Sequence, residues 1–116
     1  MQRSEKREFR QRTGQAIGDL VLRPSEQSVT VAGQVVNLTR SEFALLTTLA
    51  NSPGRVYSRS QLVHEVWAGK LVSERAVDSH IKNLRSKVEP DPRHPQYIIT
   101  VHSVGYRLSP GTASTG

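Results

Sequence analysis

The stretch from Arg75 to Val88 reads RAVDSHIKNLRSKV and is the most informative part of this chain about its fold. Its apolar side chains recur at helical spacing, which at ~100° per residue places them on one stripe of a helix. The stripe consists of Val77, Ile81, Leu84 and Val88. The opposite face carries polar and cationic side chains, namely Arg75, Ser79, Lys82, Asn83 and Ser86. The pattern predicts a helix that packs against a core on one side and presents hydrogen-bonding groups on the other.

The side-chain types on this face are those that contact nucleic acid. Lysine donates to guanine O6 and N7, asparagine pairs bidentately with adenine, and serine contacts several base edges. A helix with such a face fits the major groove of duplex DNA. Because every surface helix has a polar face, this face alone does not identify a nucleic-acid-binding protein, and the elements around the helix are also needed.

Three helix starts are marked by capping residues placed just before apolar patterns. Thr39 with Glu42 and Ser58 with Gln61 form two capping boxes. Ser73 is the third N-cap, and Glu74 after it complements the helix dipole. The first helix is predicted to bury Phe43, Leu46, Leu49 and Ala50, and the second to turn Leu62, Val63, Val66 and Trp67 inward. Their expected ends are Ser52-Pro53-Gly54 and Gly69, and the third helix ends near Glu89 because Pro90 follows.

Short β-branched and aromatic runs flank the helices on both sides. Before them, the runs 17–22, 29–31 and 34–38 predict an antiparallel meander of three strands. After them, Tyr97 to Val101 and Tyr106 to Leu108 predict a β-hairpin. The fold class is therefore α+β, with the order N-terminal sheet, three helices and C-terminal hairpin.

Composition divides the chain and is compatible with a nucleic-acid partner, although basic charge alone does not distinguish such a domain from other small soluble domains. We expect residues 1–16 to be a flexible basic linker or arm, 17–109 to be one domain, and 110–116 to be a disordered tail. The net charge is +6 and the pI is about 10.3, above the value of about 9 that is typical of nucleic-acid-binding domains.

Several classes of function find no support in the sequence. It has no cysteine, and its histidines have no compact metal-ligand spacing, so neither a metal site nor a cofactor is predicted. It lacks a nucleophile elbow and a phosphate-binding loop, so an enzyme is not expected. Apolar runs are too short to span a membrane and no signal peptide is present, so a cytoplasmic location is expected.

Several separate segments, in matching order, resemble the effector domain of the OmpR/PhoB class of response regulators. They are Leu38 to Leu46, Pro53 to Arg59, Leu62 to Trp67, Arg75 to Lys87 and Val104 to Arg107. The resemblance covers roughly residues 17–108. It implies a winged helix-turn-helix in which the third helix enters the major groove and the hairpin is the wing. At the wing tip this chain has His102-Ser103 where the family often has Arg-Gly.

The resemblance also implies roles for individual residues. Bases would be read by Ser79, Lys82 and Asn83. The phosphate backbone would be contacted by Arg59, Trp67, Arg75, Arg85 and Tyr106. The wing would contribute His102, Ser103 and Arg107, and the loop of Gly69, Lys70, Leu71 and Val72 would contact RNA polymerase.

The implied partner is double-stranded DNA with direct-repeat sites. The chain would be a monomer in isolation and a head-to-tail dimer on DNA, after phosphorylation of a receiver domain that is absent from this chain. It is expected to be either an excised effector half or a receiver-less regulator. The alternative hypothesis is a winged-helix module that docks onto proteins without touching DNA. A binder of single-stranded RNA would need an aromatic stacking surface that the sequence lacks.

Overall fold

The structure of the protein is a computed structural model that describes residues 14–68, 70 and 72–110. The described residues begin with a four-stranded antiparallel sheet whose spatial order follows the sequence. Its strands are β1 (Gln15–Ile17), β2 (Leu20–Arg23), β3 (Ser28–Val31) and β4 (Gln34–Val35), with a short 3-10 helix at Pro24–Glu26 between β2 and β3.

The predicted three-strand meander was wrong in its first and last strands. The run 17–22 is two strands, because the chain turns at Gly18, whose φ of +58° suits glycine, and pairs Ile17 with Leu20. The first strand also begins two residues before the predicted domain start. At the other end, Val36 still donates to the Val29 carbonyl (2.9 Å), but the strand ends at Val35. The rest of the predicted arm, residues 1–13, and residues 111–116 of the predicted tail lie outside the described residues.

Three helices follow, and all three predicted starts are confirmed. They are α1 (Arg40–Ala50), α2 (Arg59–Trp67) and α3 (Glu74–Val88). Both capping boxes form: Thr39 Oγ1 accepts from Glu42 N (3.1 Å) and Ser58 Oγ accepts from Gln61 N (3.0 Å), while each side chain at the third helical position accepts from its cap in return. Ser73 Oγ accepts from Ala76 N (3.1 Å) at the start of α3.

The end of α3 is as predicted, whereas the predicted end of α2 cannot be compared in full. Helix α3 ends where Pro90 requires it, since Glu89 is extended with φ −84° and ψ 139°. Helix α2 ends at Trp67, and Ala68 adopts the left-handed conformation of a C-cap. The predicted stop at Gly69 lies outside the described residues.

The C-terminal hairpin is confirmed and belongs to a second sheet. Strands β6 (Ile98–Val101) and β7 (Gly105–Leu108) form the hairpin, and β5 (Tyr57–Ser58) pairs with the other edge of β7. Strand β5 was not predicted, because a two-residue strand has no readable period. It runs directly into α2, so it links the hairpin to the helix-turn-helix.

The core lies between the helices and the two sheets. The predicted stripe of α3 is fully buried, and Leu45, Leu46 and Leu49 of α1 meet it together with Leu62 of α2. Phe43, Val63, Val66 and Trp67, which were predicted to face inward, are only partly buried at the margin of the core. The arrangement is a winged helix-turn-helix with an N-terminal sheet. Within the described residues, no helix has the length and apolar character needed to cross a bilayer.

Candidate nucleic-acid interface

Helix α3 presents its predicted reading face to solvent. Ser79, Lys82 and Asn83 are all exposed, and the structure brings them together on one side of the helix. Their side chains make no hydrogen bond or ion pair with the part of the chain that the structure describes. Because the buried stripe fixes the rotation of α3, this face is pre-positioned with unused donors and acceptors.

Asp78 lies beside this face and accepts hydrogen bonds from Arg59 and Tyr106, which were both predicted to contact phosphates. Its Oδ1 accepts from Arg59 Nε (2.7 Å) and from the Tyr106 hydroxyl (2.5 Å). The Arg59 guanidinium also lies 5.5 Å from the centre of the Tyr106 ring. Asp78 was not predicted as a site residue. The available signal was an acid between two cations, Arg75 and Lys82, at helical spacing.

The protonation states in this cluster follow from these contacts. Burial raises the pKa of Asp78, but the hydrogen bonds from Tyr106 and Arg59 outweigh it, so the pKa is lowered and the carboxylate is charged at neutral pH. Burial and the Asp78 carboxylate both raise the pKa of Tyr106, which therefore keeps its proton. That single hydroxyl proton is the one donated to Asp78.

Arg85 holds the hairpin against α3. Its Nε and Nη2 donate to the Ile98 carbonyl (3.1 and 2.8 Å), and Nη2 also donates to Thr100 Oγ1 (2.7 Å). Burial lowers the pKa of this half-buried guanidinium, but an arginine side chain keeps its positive charge in proteins. Two of its three nitrogens are thus engaged inside the protein, a role that its prediction as a phosphate contact did not include.

Glu89 makes a second connection between α3 and the hairpin, which sequence reasoning missed. Its side chain is buried, and its carboxylate accepts backbone N–H groups from Gln96 (2.7 Å), Tyr97 (3.0 Å) and Ile98 (2.8 Å). The N–H of Ile98 is therefore held by Glu89 and its carbonyl by Arg85. No sequence pattern reveals this, because the partners are backbone groups.

The tip of the wing is a tight turn. Val104 N donates to the Val101 carbonyl (2.9 Å), and Ser103 has φ +65°, a conformation that glycine adopts more readily. The predicted wing residues His102 and Ser103 are exposed at this tip. Arg107 lies between buried residues of β7 and is partly exposed on the opposite face of the strand.

The remaining predicted site residues lie at the helix-turn-helix corner. The rings of Trp67 and His80 are 5.0 Å apart and link α2 to α3, while Arg75 is exposed in the first turn of α3. In the loop between these helices Lys70 is exposed and Val72 is partly buried, whereas Gly69 and Leu71 are outside the described residues. The described residues contain no group of metal-ligating side chains.

Taken together, the exposed face of α3, the cations around it and the adjoining hairpin define a winged helix-turn-helix of the nucleic-acid-binding type. Residues 33–108 match the family described as "Transcriptional regulatory protein, C terminal". The chain belongs to this family, which includes response regulators of the OmpR/PhoB type.

Three similar proteins illustrate the family. The response regulator MtrA of Mycolicibacterium smegmatis, named as DNA-binding, is 40% identical over 96 residues, which is 82% of this chain and 42% of MtrA. DrrB of Thermotoga maritima, an OmpR/PhoB homologue, is 33% identical with a TM-score of 0.80 and is matched over 91% of this chain and 50% of its own. The RstA DNA-binding domain of Klebsiella pneumoniae, solved in complex with the RstA box, is 29% identical with a TM-score of 0.75 over 84% of this chain and 97% of that one. The chain spans about two fifths of the length of the curated relatives.

Proposed function

We propose that this chain binds double-stranded DNA sequence-specifically and regulates transcription as the effector domain of a two-component response regulator. The observation that carries the proposal is the exposed face of α3, where Ser79, Lys82 and Asn83 are unpaired within the described structure while four apolar side chains opposite are buried. The solved complex of RstA with its DNA box supports the same partner for this chain.

The residues divide into two groups by their chemistry. Ser79, Lys82 and Asn83 read base edges in the major groove, because their donors and acceptors match those that bases present there. A second group positions the protein on the phosphate backbone: Arg59, Trp67, Arg75, Arg85 and Tyr106. Within that group, Arg85 acts mainly by holding the wing, which contributes His102, Ser103 and Arg107.

The proposal extends to the wider assembly. Residues 17–109 form the DNA-binding domain, 1–16 an arm and 110–116 a tail. The protein is a monomer alone and binds direct repeats as a head-to-tail dimer, under the control of a receiver domain. The loop 69–72 contacts RNA polymerase. The protein acts in the cytoplasm at the nucleoid and has no catalytic activity.

The proposal is tested by fluorescence anisotropy with a random-sequence duplex and with a duplex recovered by selection from random DNA. We expect binding to the random duplex to weaken strongly between about 50 mM and about 200 mM salt, because each phosphate contact releases counterions. Binding that is absent at both salt concentrations would refute DNA binding and favour the protein-docking alternative. The spacing of repeats in the selected sequences tests the tandem dimer.

Two substitutions on α3 test the assignment of base readers. Lys82→Ala and Asn83→Ala should each relax the preference at one base pair, at a loss of about 1–3 kcal/mol for a good contact. Ser86→Ala is the matched control, because Ser86 lies on the same face and its hydroxyl donates to the backbone carbonyl of Asn83 (2.6 Å). If Lys82→Ala lowers specific and random binding equally, Lys82 contacts phosphate and not a base.

A further inference from the structure

Asp78 is an acidic side chain inside a cationic part of α3. Arg75 lies three residues before it and Lys82 four residues after it, so all three share one side of the helix. Its side chain is 42% exposed, which places a negative charge at the edge of the surface that would approach phosphates. A negative charge here weakens binding to DNA phosphates, so its presence on this face calls for another role.

The contacts of Asp78 indicate that purpose. One oxygen, Oδ1, accepts from both Arg59 and Tyr106, so the cation of Arg59 is neutralised and its Nε is occupied. These two residues come from α2 and from strand β7 of the wing. A single carboxylate on α3 therefore sets the positions of a helix-turn-helix cation and a wing residue relative to the reading face.

We propose that Asp78 determines specificity for duplex DNA by withholding Arg59 from indiscriminate phosphate binding and by repelling backbones that are not in register with the base contacts of α3. This inference rests on the proposed function. In the correct register, the contacts of Lys82 and Asn83 with bases offset the repulsion. On other sequences the repulsion is not offset, so Asp78 lowers random binding more than specific binding.

The test is Asp78→Asn, measured by anisotropy against the random duplex and the selected duplex over a salt series. Asparagine keeps an acceptor oxygen for Arg59 and Tyr106 but removes the charge. Because the substitution leaves the charge of Arg59 uncompensated, the slope of log affinity against log salt should steepen by about 0.9, and random binding at low salt should tighten by about threefold or more. The ratio of specific to random affinity should fall by a similar factor.

Three further variants separate this role from a structural one. Asp91→Asn makes the same change in net charge at a side chain of nearly equal exposure, 44%, in the loop after α3, and should leave the specificity ratio unchanged. The double variant Arg59→Gln, Asp78→Asn has no uncompensated cation at this position. Its slope of log affinity against log salt should therefore return to the wild-type value. Asp78→Ser removes the charge while keeping a hydroxyl, and should act in the same direction as Asp78→Asn. Circular dichroism confirms that each variant is folded.

The possible outcomes distinguish this inference from the proposed function. If the wild-type chain binds neither duplex, the proposed function fails and this inference fails with it. If the wild-type chain binds, but Asp78→Asn weakens both duplexes equally with an unchanged salt slope, Asp78 has only a structural role. If Asp91→Asn lowers the ratio as much as Asp78→Asn, net charge and not the position of Asp78 is responsible.

Discussion

Gly105 is the position where adding one methyl group should most damage the wing. A Cβ built at Gly105 would lie 1.9 Å from the Tyr57 carbonyl oxygen and 2.8 Å from Ser58 Cα. Both are backbone atoms of β5, so no side-chain rotation relieves the overlap. Strand β5 would have to move by more than 1 Å, roughly the deficit against an ordinary contact of about 3.5 Å. The pairing of Tyr57 with Tyr106 and of Ser58 with Gly105 would then be lost.

The expected loss for Gly105→Ala follows from these contacts. Overpacking of a filled site costs about 1–3 kcal/mol, and each broken backbone hydrogen bond adds about 1 kcal/mol. We expect the free energy of unfolding to fall by about 3 kcal/mol, which for a domain of this size lowers the Tm by roughly 12–20 °C. Urea denaturation followed by circular dichroism measures the change as a shift of the midpoint at constant slope.

Gly33→Ala is the matched control for this substitution. Gly33 has open space around it, with no atom within 4 Å of the place an added Cβ would occupy, but its φ of +80° strains any other residue. It should lose only about 1 kcal/mol, the cost of a left-handed conformation. A Gly105→Ala protein within about 0.5 kcal/mol of wild type would refute the reasoning, because surface substitutions fall in that range.

Three further substitutions are expected to give measurable results. Glu89→Gln should lower the free energy of unfolding by about 1.5–3 kcal/mol, since an amide cannot accept all the N–H groups that the carboxylate accepts; an unchanged urea midpoint would contradict this. Ser103→Gly should raise stability by up to about 1 kcal/mol, because relief of the left-handed strain exceeds the added entropy of the unfolded chain; a clear loss of Tm would show that the turn is not strained. Lys87→Met should destabilise the protein by about 1–3 kcal/mol at neutral pH by leaving the buried Glu42 carboxylate without its counter-ion, and this difference should shrink in acid, as urea titrations across pH can determine.

The direction of that pH dependence follows from the pKa of Glu42. Burial raises this pKa, but the hydrogen bonds from Lys87 Nζ (2.7 Å) and Thr39 N (2.9 Å) outweigh it, so the folded value lies below the ordinary 4.5. The folded state therefore binds a proton less readily than the unfolded state. The stability from this pair is complete above pH 4.5 and is lost as the pH falls through the folded pKa.

The periodic elements of this fold were predictable from the sequence. The capping boxes at Thr39 and Ser58 and the stripe of α3 were read correctly, because each depends on residues close together in the chain. The turn at Gly18 and the two-residue strand β5 were missed. Both depend on pairing with distant strands, and neither is long enough to show a period of its own.

The candidate site was predictable in part for a similar reason. Exposure of Ser79, Lys82 and Asn83 follows from the helical period alone. The engagement of Arg85 with Ile98, and of Asp78 with Arg59, depends on contacts across the fold. The sequence shows that these side chains are charged. It does not show whether they pair with other groups of the protein or are left to contact DNA.

Helix α3 has three lengthwise strips, namely the buried stripe, the reading face and, between them, an attachment strip that holds the hairpin. At about 100° per residue, Asp78, Arg85 and the C-cap residue Glu89 lie together roughly 70–110° from the centre of the buried stripe, between it and the reading face. Each of the three holds part of the hairpin: Asp78 the Tyr106 hydroxyl, Arg85 the Ile98 carbonyl, and Glu89 the N–H groups that begin β6. Because α3 carries both the reading face and attachments to the wing, seating α3 in the major groove, as proposed above, would also fix the position of the wing on DNA. Charged side chains on the attachment strip would then affect recognition without contacting a base.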